Sequence, residues 1–120
     1  MNAIKPLIET YFEAYCRAES DVIAQVFHPE CRLFSTDEAG GLERTLLSDW
    51  LGSLRGRKER GEFRSGGQLE IISVDETGDT AAAKAVIHFP ESVFTDYLSL
   101  LRLNGKWRII GKIYSVRILS

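Results

Sequence analysis

The chain is short of several things, and each shortage closes off a class of protein. Only two of its 120 residues are cysteine, Cys16 and Cys31, too few for the disulfide framework that small secreted domains use in place of a large core. Both read as inert thiols. The two histidines, His28 and His88, lie far apart in sequence, and no His/Cys/carboxylate set has ligand spacing, so no metal site is expected. No apolar run approaches the roughly 20 residues of a membrane-spanning helix. Neither charge sign dominates, with 15 Lys and Arg against 17 Asp and Glu, which leaves no dense basic face for nucleic acid. The run Arg55-Gly56-Arg57-Lys58-Glu59-Arg60 is short and interrupted by an acid, and reads as a solvated loop. The Gly-Gly pairs at 40–41 and 66–67 punctuate turns and match no phosphate-binding loop. The opening MNAIKPLIETYF lacks the charged-then-apolar layout of a secretory signal, so residence in the cytoplasm with reduced thiols is the expectation. No cofactor is expected.

What remains is an ordinary globular composition, 44% hydrophobic and 27% charged, at a length that suits one domain over residues 1–120. The first half carries helical spacing. Leu7, Ile8, Tyr11, Phe12, Ala14 and Tyr15 recur every three or four residues, predicting a helix over Lys5–Ala18 with an aromatic stripe. Ser20 or Asp21 can cap a short helix over Val22–Phe27, ended by Pro29. Cys31–Ser35 reads as a short extended piece. Ser48 or Asp49 can cap a third helix carrying Trp50, Leu51 and Leu54 and closed by Arg55-Gly56-Arg57.

The second half changes period. Leu69–Asp75, Ala81–Phe89, Val93–Leu103 and Lys106–Leu119 alternate as strands, and Asn104-Gly105 is a strong hairpin signal because a type I′ turn needs positive φ at both positions. Helices followed by an antiparallel meander predict an α+β fold with helices on one sheet face. A two-residue loop would pair Arg102 with Trp107, Leu100 with Ile109, Leu98 with Gly111 and Asp96 with Ile113. The preceding turn would pair Ile87 with Asp96 and Ala85 with Leu98. On that register Asp96 is the only acid on the face the helices cover, beside Ala81, Ala83, Ala85 and Gly111. Lys84, His88, Tyr97, Ser99, Lys112 and Tyr114 fall on the other face. An acid among apolar neighbours is costly unless something satisfies or uses it.

The order of YFEAYCRAESDVIAQVFHPECRLF, GDTAAAKAV and FTDYLSLLRLNGKWRIIGKIYS resembles the NTF2-like (nuclear transport factor 2-like) superfamily, which includes ketosteroid isomerase and the SnoaL-related cyclases. The last two segments look most like its "putative lumazine-binding" group. The resemblance implies a strongly curved sheet wrapped around a pocket, closed by N-terminal helices. It also implies a homodimer through the outer sheet face, where Tyr97, Ser99, Tyr114 and Val116 would sit. In ketosteroid isomerase a tyrosine of the first helix and a protonated aspartic acid of the sheet hydrogen-bond a substrate oxygen. The resemblance offers Tyr11 or Tyr15 for the first role and Asp96 for the second.

Asp96, His28 and Tyr15 are therefore the candidate catalytic residues. Tyr11 and Tyr15 from the first helix, with Phe27, Phe34 and Trp50, are candidates for lining the pocket. Ile87, Phe94, Leu98, Trp107 and Ile109 would line it from the sheet around Asp96. The leading expectation is a domain that binds a small apolar or planar organic ligand, with Asp96 as its polar anchor. The alternative is an isomerase, dehydratase or cyclase moving a proton next to a carbonyl, and a third reading is a dimerisation scaffold with a vestigial pocket.

Overall fold

The computed structural model describes residues 3–119. Helix α1 (Ile4–Cys16) buries Ile4, Ile8, Tyr11 and Ala14, one side chain per turn. It ends where Ala18 takes a left-handed φ of 54° and Glu19 N donates to Ala14 O at 2.8 Å. A left-handed alanine costs roughly 1–2 kcal/mol, and here its methyl is fully buried. Helix α2 (Ser20–Val26) stops one residue short of the sequence expectation, because Phe27 is already extended at the start of β1 (Phe27–Thr36). Arg108 Nη2 donates to Ala24 O at 2.8 Å and Phe27 O at 2.9 Å, taking carbonyls that the helix end leaves free.

Strand β1 is twice the expected length because it pairs on both sides, antiparallel with β2 (Leu42–Leu46) and parallel with β6 (Lys106–Ile118). Pro29 falls within its irregular stretch between Phe27 and Arg32, where no ladder donor is required. The β1–β2 turn is held by Asp37, whose Oδ1 accepts from Ala39 N and Gly41 N. Strand β2 was not expected: Leu-Glu-Arg-Thr-Leu is a largely exposed edge with little pattern of its own.

Helix α3 (Leu47–Glu59) follows β2 directly, with no side-chain cap from Ser48 or Asp49, and it runs through Arg55-Gly56-Arg57 rather than being closed by it. It ends at Gly61 (φ 67°), where Glu62 N donates to Arg57 O and Gly61 N to Lys58 O, the paired bonds of a Schellman closure. Strands β3 (Gln68–Thr77), β4 (Thr80–His88) and β5 (Ser92–Leu103) complete a six-stranded sheet in the order β2-β1-β6-β5-β4-β3. This is the α+β architecture expected from the sequence, with one parallel pair added.

Asn104 and Gly105 have φ of 52° and 81°, as the type I′ turn requires. The expected pairing holds from Leu103↔Lys106 to Leu100↔Ile109 and then fails. Ile110 is an extra residue, so Ser99 faces Gly111, Leu98 faces Lys112 and Asp96 faces Tyr114 rather than Ile113. Because side chains alternate, one inserted residue exchanges the faces of everything beyond it. Lys112 and Tyr114 therefore turn inward, and Gly111 and Ile113 turn outward, with Ile113 59% exposed. The β4–β5 register also differs from expectation, by two residues, with Ile87↔Phe94 and Ala85↔Asp96. The turn is tighter than expected, Phe89 N donating to Ser92 O at 2.8 Å. An even offset preserves the faces, so Asp96 still points inward.

Candidate functional site

Asp96 is fully buried near the middle of β5, with Ala85 on one side and Tyr114 on the other. From α1, Tyr11 Oη donates to Asp96 Oδ2 at 2.7 Å. From β6, Lys112 Nζ donates to the same Tyr11 oxygen at 2.6 Å and lies 3.7 Å from Asp96 Oδ2. The three groups form a chain in which Tyr11 accepts a proton bond from the lysine and passes one to the carboxylate. Asp96 Oδ1 is buried and has no hydrogen-bond partner among the described residues.

Burial dominates the electrostatics. It pushes the Lys112 ammonium below its usual range, and the nearby Asp96 carboxylate opposes that only in part. Burial, and after it the charge of Asp96, hold the Tyr11 phenol well above its ordinary value. The Lys112 nitrogen sits 4.8 Å from the ring centre of Trp50, 5.0 Å from Tyr11 and 5.1 Å from Tyr114. Such faces attract a cation, yet they supply no acceptor for its remaining N–H bonds. Burial raises the Cys31 thiol, which feels the charge of Lys112, to about 11 and keeps it protonated.

One turn along α1, Tyr15 belongs to a second, more open cluster. Its ring lies 6.3 Å from Trp50, 6.0 Å from Phe94 and 6.4 Å from Phe89. Arg64 stacks over Phe89 at 4.2 Å, donates to Tyr15 Oη at 3.2 Å and pairs with the exposed Glu91 at 3.2 Å. Arg57 lies 5.2 Å from the Tyr15 ring centre, and its Nη2 is buried without a partner among the described residues.

The structure thus brings Tyr11, Phe27, Trp50 and Asp96 into one neighbourhood, with Phe27 and Trp50 in edge contact at 5.1 Å. Phe94 and Leu98 flank Asp96 on the inner face of β5, and Ile87 and Ile109 are buried on the neighbouring strands. Phe34 differs from expectation: it pairs with Ile113 and lines an outer-face groove of about 440 Å³ with Lys84 and Tyr97. Trp107 faces a separate hollow of about 650 Å³ between Leu7, Val22 and the β5–β6 turn. His28 is engaged locally, Nδ1 accepting from Glu30 N at 3.1 Å. Neither hollow is lined by Tyr11 or Asp96.

The sequence reading missed Lys112, having set it on the outer face. The signal for it was present in Ile109-Ile110-Gly111, two adjacent apolar residues and a glycine inside a strand, which is where a bulge is accommodated.

Residues 1–115 match the family model described as "Putative lumazine-binding". The chain belongs to this family. Its fold is NTF2-like, and two solved structures share it at identities that speak to fold alone. An NTF2-like protein of unknown function from Shewanella baltica superposes with a TM-score of 0.84 at 22% identity, over 96% of this chain and 91% of that one. Another, from Silicibacter pomeroyi, gives 0.82 at 24% identity, over 96% and 93%. Aldolase FrzH of Cladobotryum sp is 27% identical over 107 residues, 87% of this chain and 81% of that protein. Among the described residues, no helix of this NTF2-like chain is long and apolar enough to cross a membrane.

Proposed function

We propose that this NTF2-like domain binds a small, largely apolar organic ligand between α1, α3 and the sheet, with Asp96 as its polar anchor. The observation that carries this is Asp96 Oδ1, a buried acceptor with no partner among the described residues. An unmatched buried acceptor costs on the order of 1–3 kcal/mol, and a ligand N–H or O–H would recover it. Trp50 is the natural door: it is half-buried, whereas Tyr11 and Phe27 behind it are 1% and 0% exposed. A thermal-shift screen against planar heterocycles, pterins, steroids and polyketide-like compounds tests the reading. A ligand should raise Tm in the wild type and much less in Asp96→Asn, because only native-state binding stabilises. Equal shifts in both would sink the anchor.

A second reading is an enzyme that moves a proton next to a carbonyl, favoured by the Lys112–Tyr11–Asp96 chain and by a relative that is an aldolase. Tyr11 would polarise the carbonyl oxygen and Asp96 would take the proton. Tyr15 is engaged by Arg64 and His28 by its own strand, so neither takes part in this reading. Turnover that survived Asp96→Asn unchanged would rule this out. The outer face, with Tyr97, Ile113 and Val116 43–59% exposed, would carry a homodimer, and sedimentation of wild type against Ile113→Lys tests it.

A further inference from the structure

Lys112 has no role in the binding reading, and its surroundings attract a charge while leaving most of its N–H bonds without an acceptor. The nitrogen makes one hydrogen bond, to Tyr11, sits against three aromatic rings, and lies 3.7 Å from Asp96 Oδ2, within ion-pair range but beyond hydrogen-bond distance. A buried ammonium with one of three donors satisfied is expensive. A neutral amine in the same place has no charge to desolvate and one N–H fewer to satisfy. The titratable groups facing it are Asp96 from β5, Tyr11 from α1, Tyr114 from β6 and Cys31 from β1, and Asp96 is the one acid among them. The hydrogen-bonded chain supplies a route by which the lysine can shed its proton: it passes to Tyr11 as the Tyr11 proton passes toward Asp96, and the amine is left free to react.

We propose that Lys112 is a nucleophilic amine that captures the carbonyl carbon of an aldehyde or ketone ligand as a Schiff base, with Tyr11 and Asp96 carrying the protons. This rests on the binding reading above and narrows its ligand to a carbonyl compound. The Nζ lone pair forms the N–C bond while the C=O π pair moves to oxygen, which takes a proton from the Tyr11–Asp96 pair. Nitrogen returns a proton by the same route, giving a neutral carbinolamine. The C–O bond then breaks, the oxygen leaves as water with a second proton, and loss of the last N–H proton leaves C=N. The sum is amine plus carbonyl giving imine plus water, with no oxidant or reductant.

The probe is benzoylacetone, a diketone with a planar apolar body whose imine tautomerises to a stable, near-ultraviolet-absorbing enaminone. Wild-type protein is incubated with it near neutral pH and the adduct located by peptide mass mapping, which compares Lys112 with Lys5, Lys58, Lys84 and Lys106 in one sample. A lowered amine pKa leaves more of the side chain in its reactive form, so Lys112 should be labelled faster than exposed Lys58. Lys112→Met should lose the absorbance, and Tyr11→Phe should slow its growth. Labelling that follows exposure, leaving Lys112 the slowest, overturns the proposal without any variant having to fold. The diol analogue, which cannot form an imine, is run by thermal shift in wild type and Asp96→Asn. An Asp96-dependent shift without the Lys112 adduct leaves the binding reading standing and removes the Schiff base. No shift and no adduct removes both.

Discussion

Tyr11 and Tyr15 stand one turn apart on the same helix, and each meets a basic side chain, yet the two encounters differ in kind. Lys112 reaches Tyr11 with its side chain 6% exposed, beside a carboxylate that is 0% exposed. Arg64 reaches Tyr15 with 26% exposure and pairs with a glutamate that is 67% exposed. At the rim, water screens the charges and the geometry is worth little beyond stacking. In the interior nothing screens them, so burial decides which protonation state is affordable. The same residue pair, tyrosine and base, is thus an ordinary surface contact in one place and a proton-holding device in the other.

The comparison breaks most visibly if one inner partner is removed. Asp96→Leu should cost up to about 3–5 kcal/mol at neutral pH, because it removes the acid that balances or takes up the proton of a buried lysine, and Asp96→Leu with Lys112→Met should recover most of that in urea unfolding. Two losses that simply add would show that the groups do not interact. Deleting Ile110 is the next largest test. It should restore continuous pairing, turn Lys112 to the outer face and expose its amine to acetylation at the rate of Lys84; a Lys112 that stayed protected would put the bulge elsewhere. At the rim, Arg64→Ala should cost about 1 kcal/mol. That loss should shrink in high salt while the Asp96→Leu loss does not, and equal salt sensitivity would erase the distinction.

The smallest effect is alkaline. Lys112 is held below 10.5 by burial, so the unfolded chain binds a proton that the folded one does not, and stability should climb with pH from the folded value to 10.5. Tyr11 is held above 10.0, first by burial. There the folded chain keeps a proton that the unfolded one loses, so stability should fall beyond 10.0. Denaturation across an alkaline series should show the climb flattened in Lys112→Met and the fall flattened in Tyr11→Phe. Matching slopes in wild type and variants would mean that neither group is perturbed.

Much of the fold could be read in advance because local rules govern it. The spacing of Ile8, Tyr11 and Ala14 makes α1, and Asn104-Gly105 makes the hairpin at its observed register. Strand β2 could not be read, since its pairing with β1 is what makes Leu42–Leu46 extended. Asp96 was legible as an inward acid because a two-residue error in the β4–β5 offset leaves the faces unchanged. Lys112 was not, because a single inserted residue exchanges them.

The sequence by itself determined the α+β order of elements, the inward aspartate and the aromatic stripe of α1, all of which follow from period and turn chemistry within a few residues. Only the tertiary structure decided which base meets that aspartate. Where Ile110 is accommodated depends on β6 pairing with β5 on one side and β1 on the other, and that one residue sends Lys112 into the core and Ile113 out of it.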